Sequence, residues 1–101
     1  MSGELIEKFG RFGAENPADF GGCCNPTNVA ALDQDRVVVS EKAPPKLKVF
    51  KADGRFIAQA VGMFDPNTKN IDLAVDRNGR IYATDPARCT IEVFEQEAAS
   101  G

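Results

Sequence analysis

AVDRNGRIYATD at residues 74–85 repeats the pattern of ALDQDRVVVSE at residues 31–41, and IEVFE at residues 91–95 repeats the pattern of LKVFK at residues 47–51. The two copies are 43 residues apart before the extra Gly79 of the second copy and 44 residues apart after it. Each copy consists of short runs rich in β-branched and aromatic residues that are separated by turn residues, a pattern typical of strands. The chain therefore contains the same small antiparallel unit twice.

A strand-rich repeat of this length is typical of one β-propeller blade, so the sequence predicts an all-β chain of about two four-stranded antiparallel blades. The predicted strands a to d of the first blade are residues 27–32, 36–40, 46–50 and 55–61, and strands a to c of the second are residues 71–75, 80–84 and 90–94. The missing strand has a counterpart at the other end of the chain, because GELIEKFGRF at residues 3–12 matches GRFIAQAVGMF at residues 54–64 with one gap. We therefore expect a single 1–101 unit with strand order d-abcd-abc. In that unit, residues 3–12 complete a neighbouring blade, residues 25–62 form the first blade, and residues 66–95 form a second blade without its last strand.

The repeat resembles the NHL-repeat family of β-propellers. The resemblance rests on a proline ahead of strand a, a small-apolar-Asp ending of that strand, Gly-Arg-Ile-Tyr, a closing acid and Ile-x-Val-Phe. The first copy departs from this pattern, since it lacks the turn glycine and has Glu41 where the acid is usually Asp. FGGCCNPTN at residues 20–28 is also similar to a stretch near the C-terminus of a poorly characterised bacterial branch of the family. The resemblance implies a six-bladed ring that serves as a binding platform for a protein, an RNA or a sensed ligand.

Composition narrows the classes of function. The net charge of −3 and the pI of about 4.9 argue against a nucleic-acid partner, which normally needs a basic face. The sequence has no run of 18 consecutive apolar residues, so no membrane span is predicted. Residues 1–10 do not resemble a signal peptide. Three cysteines do not make a disulfide framework, so a reducing, cytoplasmic location is favoured. The chain has no histidine, which excludes a Ser-His-Asp triad within one chain. Some members of the family that the repeat resembles are lyases that use metal-bound histidine, and this chain has no residue for that role.

The connections between strands differ in character. The a–b and c–d turns, at residues 33–35, 52–54 and 77–79, are tight, and the last two carry Asp-Gly and Asn-Gly. The b–c and d–a loops are longer and emerge together on the other side. Binding sites usually lie on loops held by a rigid scaffold, so we predict a ligand-binding face there for a protein or a small anionic ligand. The candidate residues are Cys23, Cys24, Asn25, Glu41, Lys42, Lys46, Lys69, Arg88 and Cys89.

Two other features have a structural and a functional interpretation. Acids recur once per repeat, at Asp33 and Asp76 and at Glu41 and Asp85, and such recurrence favours a role in shaping turns and strand ends over catalysis. The vicinal cysteines and Cys89 either pack as small loop residues or form a thiol or soft-metal redox site at a ring centre, the enzymatic alternative. We predict no cofactor. We also expect the aromatic loop residues Phe12, Phe20 and Phe64 to lie in the core.

Assembly follows from the blade count. Two blades leave apolar faces and unpaired strand edges, and repeats of this kind need neighbours for stability. Three copies would supply six blades, each N-terminal strand completing the last blade of a neighbour, so a homotrimeric ring is the favoured state. The alternative is that the chain is part of a longer propeller.

Overall fold

A computed structural model describes residues 5, 8–13, 15–21, 25–42 and 44–95, and these residues form two antiparallel β-sheets and no helix. Sheet 1 contains four strands in the order of the chain: β1 (Asn28–Ala31), β2 (Arg36–Glu41), β3 (Lys46–Lys51) and β4 (Phe56–Val61). Sheet 2 contains three, also in chain order: β5 (Leu73–Val75), β6 (Ile81–Asp85) and β7 (Thr90–Phe94). The prediction of an all-β fold is confirmed, and each of these seven strands lies where a strand was predicted.

The eighth predicted strand, at residues 3–12, has no counterpart among the described residues. Leu5 and residues 8–11 belong to no strand, and Phe12 forms one isolated parallel bridge with Phe20. Residues 1–4, 6 and 7 lie outside the described part of the chain. Pairing of this stretch with a neighbouring blade therefore stays a prediction.

The repeat in the sequence is also a repeat in strand register. Val38 lies opposite Val49 in sheet 1, and their counterparts 44 residues later, Tyr82 and Val93, lie opposite each other in sheet 2. Val37 and Phe50 likewise match the pair formed by Ile81 and Phe94. Because residues in register share a face of the sheet, equivalent positions in the two sheets point to equivalent sides.

Short turns at one edge of each sheet are shaped by aspartates, as the sequence predicted. Asp33, Asp53 and Asp76 each accept a hydrogen bond from the backbone N–H two residues later, at 2.9, 3.0 and 2.9 Å. Gly54 and Gly79 have φ angles of 96° and 82°, a region that residues with a Cβ rarely adopt. The structural role expected of Asp33 and Asp76 is confirmed.

The main core lies between the two sheets. From sheet 1 it receives Val38, Leu47 and Val49, and from sheet 2 Ile81 and Ala83. The connection between the sheets adds Ile71, which is fully buried, and Phe64, whose ring centre lies 5.7 Å from that of Phe94. This packing holds sheet 2 against one face of sheet 1.

A second apolar cluster covers the opposite face of sheet 1. The ring of Phe50 lies 5.2 Å from Phe9, 5.5 Å from Phe20 and 5.8 Å from Phe56, measured between ring centres. Phe9 and Phe20 therefore lie over this face. Phe20 is buried, as is Phe64, so both expectations are confirmed. The expectation for Phe12 is wrong: its side chain is 80% exposed, and its bridge to Phe20 is a contact of the backbone and not of the ring.

No helix within the described residues is long and apolar enough to cross a membrane.

Candidate functional site

The longer connections emerge at one edge of the two sheets, which we call the loop edge: described residues in 11–27, 42–45, 62–72 and 86–89. Antiparallel strands place the β2–β3, β4–β5 and β6–β7 connections at the same end, opposite the aspartate-shaped turns. The loop edge is where the sequence predicted a binding face.

A cavity of about 380 Å³ opens at the loop edge of sheet 1. It lies between residues 13–21 and the adjoining ends of β2 and β3. Its polar walls come from Glu41, Lys46, Lys48 and Gln59, so two residues of the predicted face, Glu41 and Lys46, meet here.

A buried ion pair forms the floor of this cavity. Lys48 Nζ lies 2.5 Å from Glu41 Oε2, and both side chains are only 3% exposed. The same ammonium donates a 2.5 Å hydrogen bond to the Asp19 carbonyl oxygen and lies 5.2 Å from the centre of the Phe20 ring. Glu41 Oε2 accepts no directed hydrogen bond from any described residue, so the Lys48 charge is its compensation. Lys48 thus ties the 13–21 segment to sheet 1.

Asp19, the second buried acid of the cavity, is paired with Arg11, whose side chain is exposed. Arg11 donates two hydrogen bonds to the Asp19 carboxylate, at 3.0 and 3.1 Å. These hydrogen bonds lower the pKa of Asp19 below its ordinary value, against the opposing effect of burial. The loop also fits closely here, because a Cβ added to Gly13 would lie 2.5 Å from Asp19 Oδ2. The segment is therefore held by charge, hydrogen bonding and shape.

Asn25 and Lys42, two further predicted site residues, are engaged with each other. The Asn25 amide donates to the Lys42 carbonyl oxygen at 3.0 Å and accepts from the Lys42 N–H at 2.9 Å. It also donates to the Gly21 carbonyl oxygen at 2.6 Å. Asn25 fastens two loops beside the cavity, and its side-chain amide is occupied in doing so.

The remaining described candidates lie on loops beside sheet 2. Arg88 donates to the Met63 carbonyl oxygen at 3.2 Å, and its Nε lies 3.8 Å from Asp85. Lys69 and Cys89 are exposed. Within the described part of the chain, no hydrogen bond or ion pair joins these three residues to Glu41 or Lys46. The structure thus divides the predicted face into two groups, one beside each sheet.

Asp85, the counterpart of Glu41, holds a loop by hydrogen bonds. Its buried carboxylate accepts hydrogen bonds from the Thr68 hydroxyl and, at 3.0 Å, from the Asp65 N–H. Burial raises the pKa of Asp85, but these hydrogen bonds together with one from the Arg88 N–H outweigh it and lower the pKa overall. Asp85 fixes the loop ahead of sheet 2, as recurrence once per repeat suggested.

The thiol hypothesis is not tested by these residues. Cys23 and Cys24 lie outside the described part of the chain, and Cys89 is an exposed, unpaired cysteine whose Sγ lies 3.8 Å from the Pro86 carbonyl oxygen. No three acidic, cysteine or histidine side chains of the described residues come together as metal ligands.

Lys48, Asp19 and Gln59 belong to the cavity but not to the predicted site. A signal for Lys48 existed in the strand pattern. Residues 48 and 50 share a face of β3, so a lysine stands beside Phe50 and opposite Val39. A charge on an apolar face needs a buried partner. The contribution of residues 13–21 had no such signal.

Comparison of the chain with protein-family models, with curated proteins and with solved structures finds no match in any of the three.

Proposed function

We propose that this chain is a non-enzymatic binding or scaffold module of the NHL-like β-propeller type, which acts through its loop edge. The observation that carries the proposal is the polar cavity at the loop edge of sheet 1. The opposite edge carries short turns whose aspartates, Asp33, Asp53 and Asp76, accept hydrogen bonds from the turns themselves. Variation in the loops can therefore alter the cavity without disturbing the strands.

Charge in the cavity favours an anionic group as the ligand. Lys48 neutralises Glu41, and Arg11 neutralises Asp19. Lys46 is half-buried on the cavity wall and makes no ion pair with another described residue. Its ammonium is available to a carboxylate or phosphate, either free or carried on a protein loop.

Titration of the full chain with inorganic phosphate and with succinate, followed by amide NMR, tests this proposal. We expect shifts at Lys46, Gln59 and residues 15–21, and the Lys46→Met variant should bind about tenfold more weakly, as for loss of one hydrogen bond to a charged group. Lys69→Met, a matched change on another loop, should bind as the unaltered chain does. Shifts confined to residues outside the cavity, or equal binding by both variants, would contradict the proposed site.

For the 101-residue chain we propose a homotrimeric, six-bladed ring as the assembly that carries these loop edges. The shared strand register of the two sheets supports the proposal that each supplies one blade of the ring. Incorporation into a longer propeller is the alternative. A ring of three copies would bring three equivalent cavities to the same side.

A further inference from the structure

Sheet 2 differs from sheet 1 in that its third strand, β7, is an edge strand, whereas the equivalent strand of sheet 1, β3, is internal. In sheet 1 the outer edge of β3 pairs with β4 over residues 46–50. In sheet 2 the equivalent strand, β7, pairs with β6, and no strand of the described residues lies on its other side. An open edge presents backbone N–H and C=O groups ready to pair with another strand.

An apolar groove of about 640 Å³ lies beside this edge. Its floor comes from Leu47, Val49 and the alanines at positions 58 and 60, and its far wall comes from Phe94. It runs between β4 and β7, the space that a fourth strand of sheet 2 would occupy if it repeated the place of β4 in sheet 1. The small side chains of Ala58 and Ala60 leave room for larger ones from an incoming strand.

The outer face of sheet 2 is also uncovered. Leu47 and Val49 are 3% and 8% exposed because sheet 2 covers them, whereas their counterparts Ile91 and Val93 are 65% and 54% exposed. Branched apolar side chains in register on one sheet face are typical of a surface that another layer covers. A single partner that supplies both a strand and a sheet would pair with the edge of β7 and also cover the face that carries Ile91 and Val93.

We propose that the groove and the β7 edge are the acceptor site for residues 3–12 of a second copy of this chain. Residues 3–12 match β4 in sequence, with Leu5 in the place of Phe56 and Lys8 in the place of Gln59. Phe56 packs edge-on against Phe50, so Leu5 of the incoming copy takes the same position against Phe94.

Charge supports this register. Gln59 lies opposite Lys48 in sheet 1, and the counterpart of Lys48 in sheet 2 is Glu92. The register therefore places Lys8 of the incoming copy opposite Glu92, and opposite charges across a strand pair are favourable. A generic apolar peptide lacks this match, which is why a second copy is the proposed occupant.

The rest of the incoming copy accounts for the exposed face. In each copy, Phe9 and Phe20 lie over the Phe50 face of sheet 1. A copy whose residues 3–8 pair with β7 therefore brings that side of its sheet 1 next to Ile91 and Val93. The contact is head-to-tail and closes into a ring by rotation. The inference rests on the proposed ring for its partner and is independent of ligand binding at the loop edge.

Sedimentation velocity on the full chain over a range of concentrations tests the site with a matched pair of substitutions. Ala58→Trp fills the groove from an exposed position, and Ala52→Trp places the same side chain in the exposed c–d turn. We expect Ala58→Trp to raise the concentration at which the oligomer forms by at least about tenfold, and Ala52→Trp to leave it unchanged within about twofold. Circular dichroism checks that both variants keep the strand signal.

A charge reversal tests the register. Lys8→Glu and Glu92→Lys should each weaken association by about two- to fivefold, the range of a cross-strand charge pair, and the double variant should restore it. Arg77→Glu, in an exposed turn, is the control for net charge. Amides of Thr90–Phe94 should exchange more slowly as the oligomer forms.

An oligomer that is equally stable with Trp at position 58 would overturn the acceptor site while leaving the ring intact. A chain that stays monomeric at all concentrations would overturn both. A double variant weaker than either single variant would overturn the proposed register.

Discussion

Removing the ammonium of Lys48 should destabilise the chain far more than removing that of any exposed lysine. Lys48 and Glu41 are each 3% exposed and lie 2.5 Å apart. Lys48→Met keeps the length of the side chain but leaves the Glu41 carboxylate buried without its counter-charge. It also takes the donor from the Asp19 carbonyl oxygen, the contact that holds residues 13–21 on sheet 1.

The magnitude follows from burial. Breaking a buried pair by removing one partner costs about 3–5 kcal/mol, because a charge is left uncompensated. Glu41→Met should cost a similar amount. The double variant leaves no buried charge and loses mainly the hydrogen bond to Asp19, so it should cost about 1–2 kcal/mol. The two residues should therefore be strongly coupled, with a double variant far more stable than the sum of the single effects.

Urea unfolding of the four proteins at one protein concentration measures these energies as a double-mutant cycle. Lys46→Met, two residues away on the half-buried cavity wall, is the control and should change the unfolding free energy by less than about 0.5 kcal/mol. Additive single effects, or a Lys48→Met effect no larger than that of the control, would refute the claim that the pair is buried and mutually compensating.

Three other substitutions or conditions have defined outcomes. The pKa values of Asp85 and Asp76 lie below those of the unfolded chain. The stability that these two carboxylates contribute is therefore complete above the unfolded value of about 3.9 and is lost as the pH falls through the folded values. The urea midpoint should be lower at pH 3 than at pH 6, and equal midpoints would contradict this. Gly79→Ala should lower the unfolding free energy by about 1 kcal/mol, since φ is 82° but no atom lies within 4 Å of the added Cβ, and an unchanged urea midpoint would argue against that backbone. Ile71→Ala should lower the unfolding free energy by about 2–5 kcal/mol because the side chain is fully buried. Ile57→Ala, whose side chain is 40% exposed, should lower it by about 1 kcal/mol or less in the same urea assay. Similar losses for the two variants would contradict the position of the core.

The strands could be predicted because local chemistry and the repeat agree about them. Asp33 and Asp76 mark the first turn of each repeat, Gly54 and Gly79 supply positive φ angles, and alternating apolar residues fill the space between. Two copies of the same pattern then fix the register of one sheet from that of the other.

The site was only partly predictable, for a physical reason. Glu41 and Lys46 lie at strand ends, so their position at the loop edge follows from topology. Asp19 reaches the cavity through the path of residues 13–21, which depends on long-range contacts of Phe20 and Lys48 and has no local periodicity. Phe12 is a similar case: its aromatic character suggested the core, but the path of this segment leaves its side chain 80% exposed.

We propose that the two sheets of this chain are completed by a second copy of the same chain. The mass of the full chain in solution, measured by sedimentation equilibrium, tests it most directly. We expect a species of three times the 10.9 kDa chain mass that forms with increasing concentration. A stable, soluble species of 10.9 kDa at every concentration would contradict it.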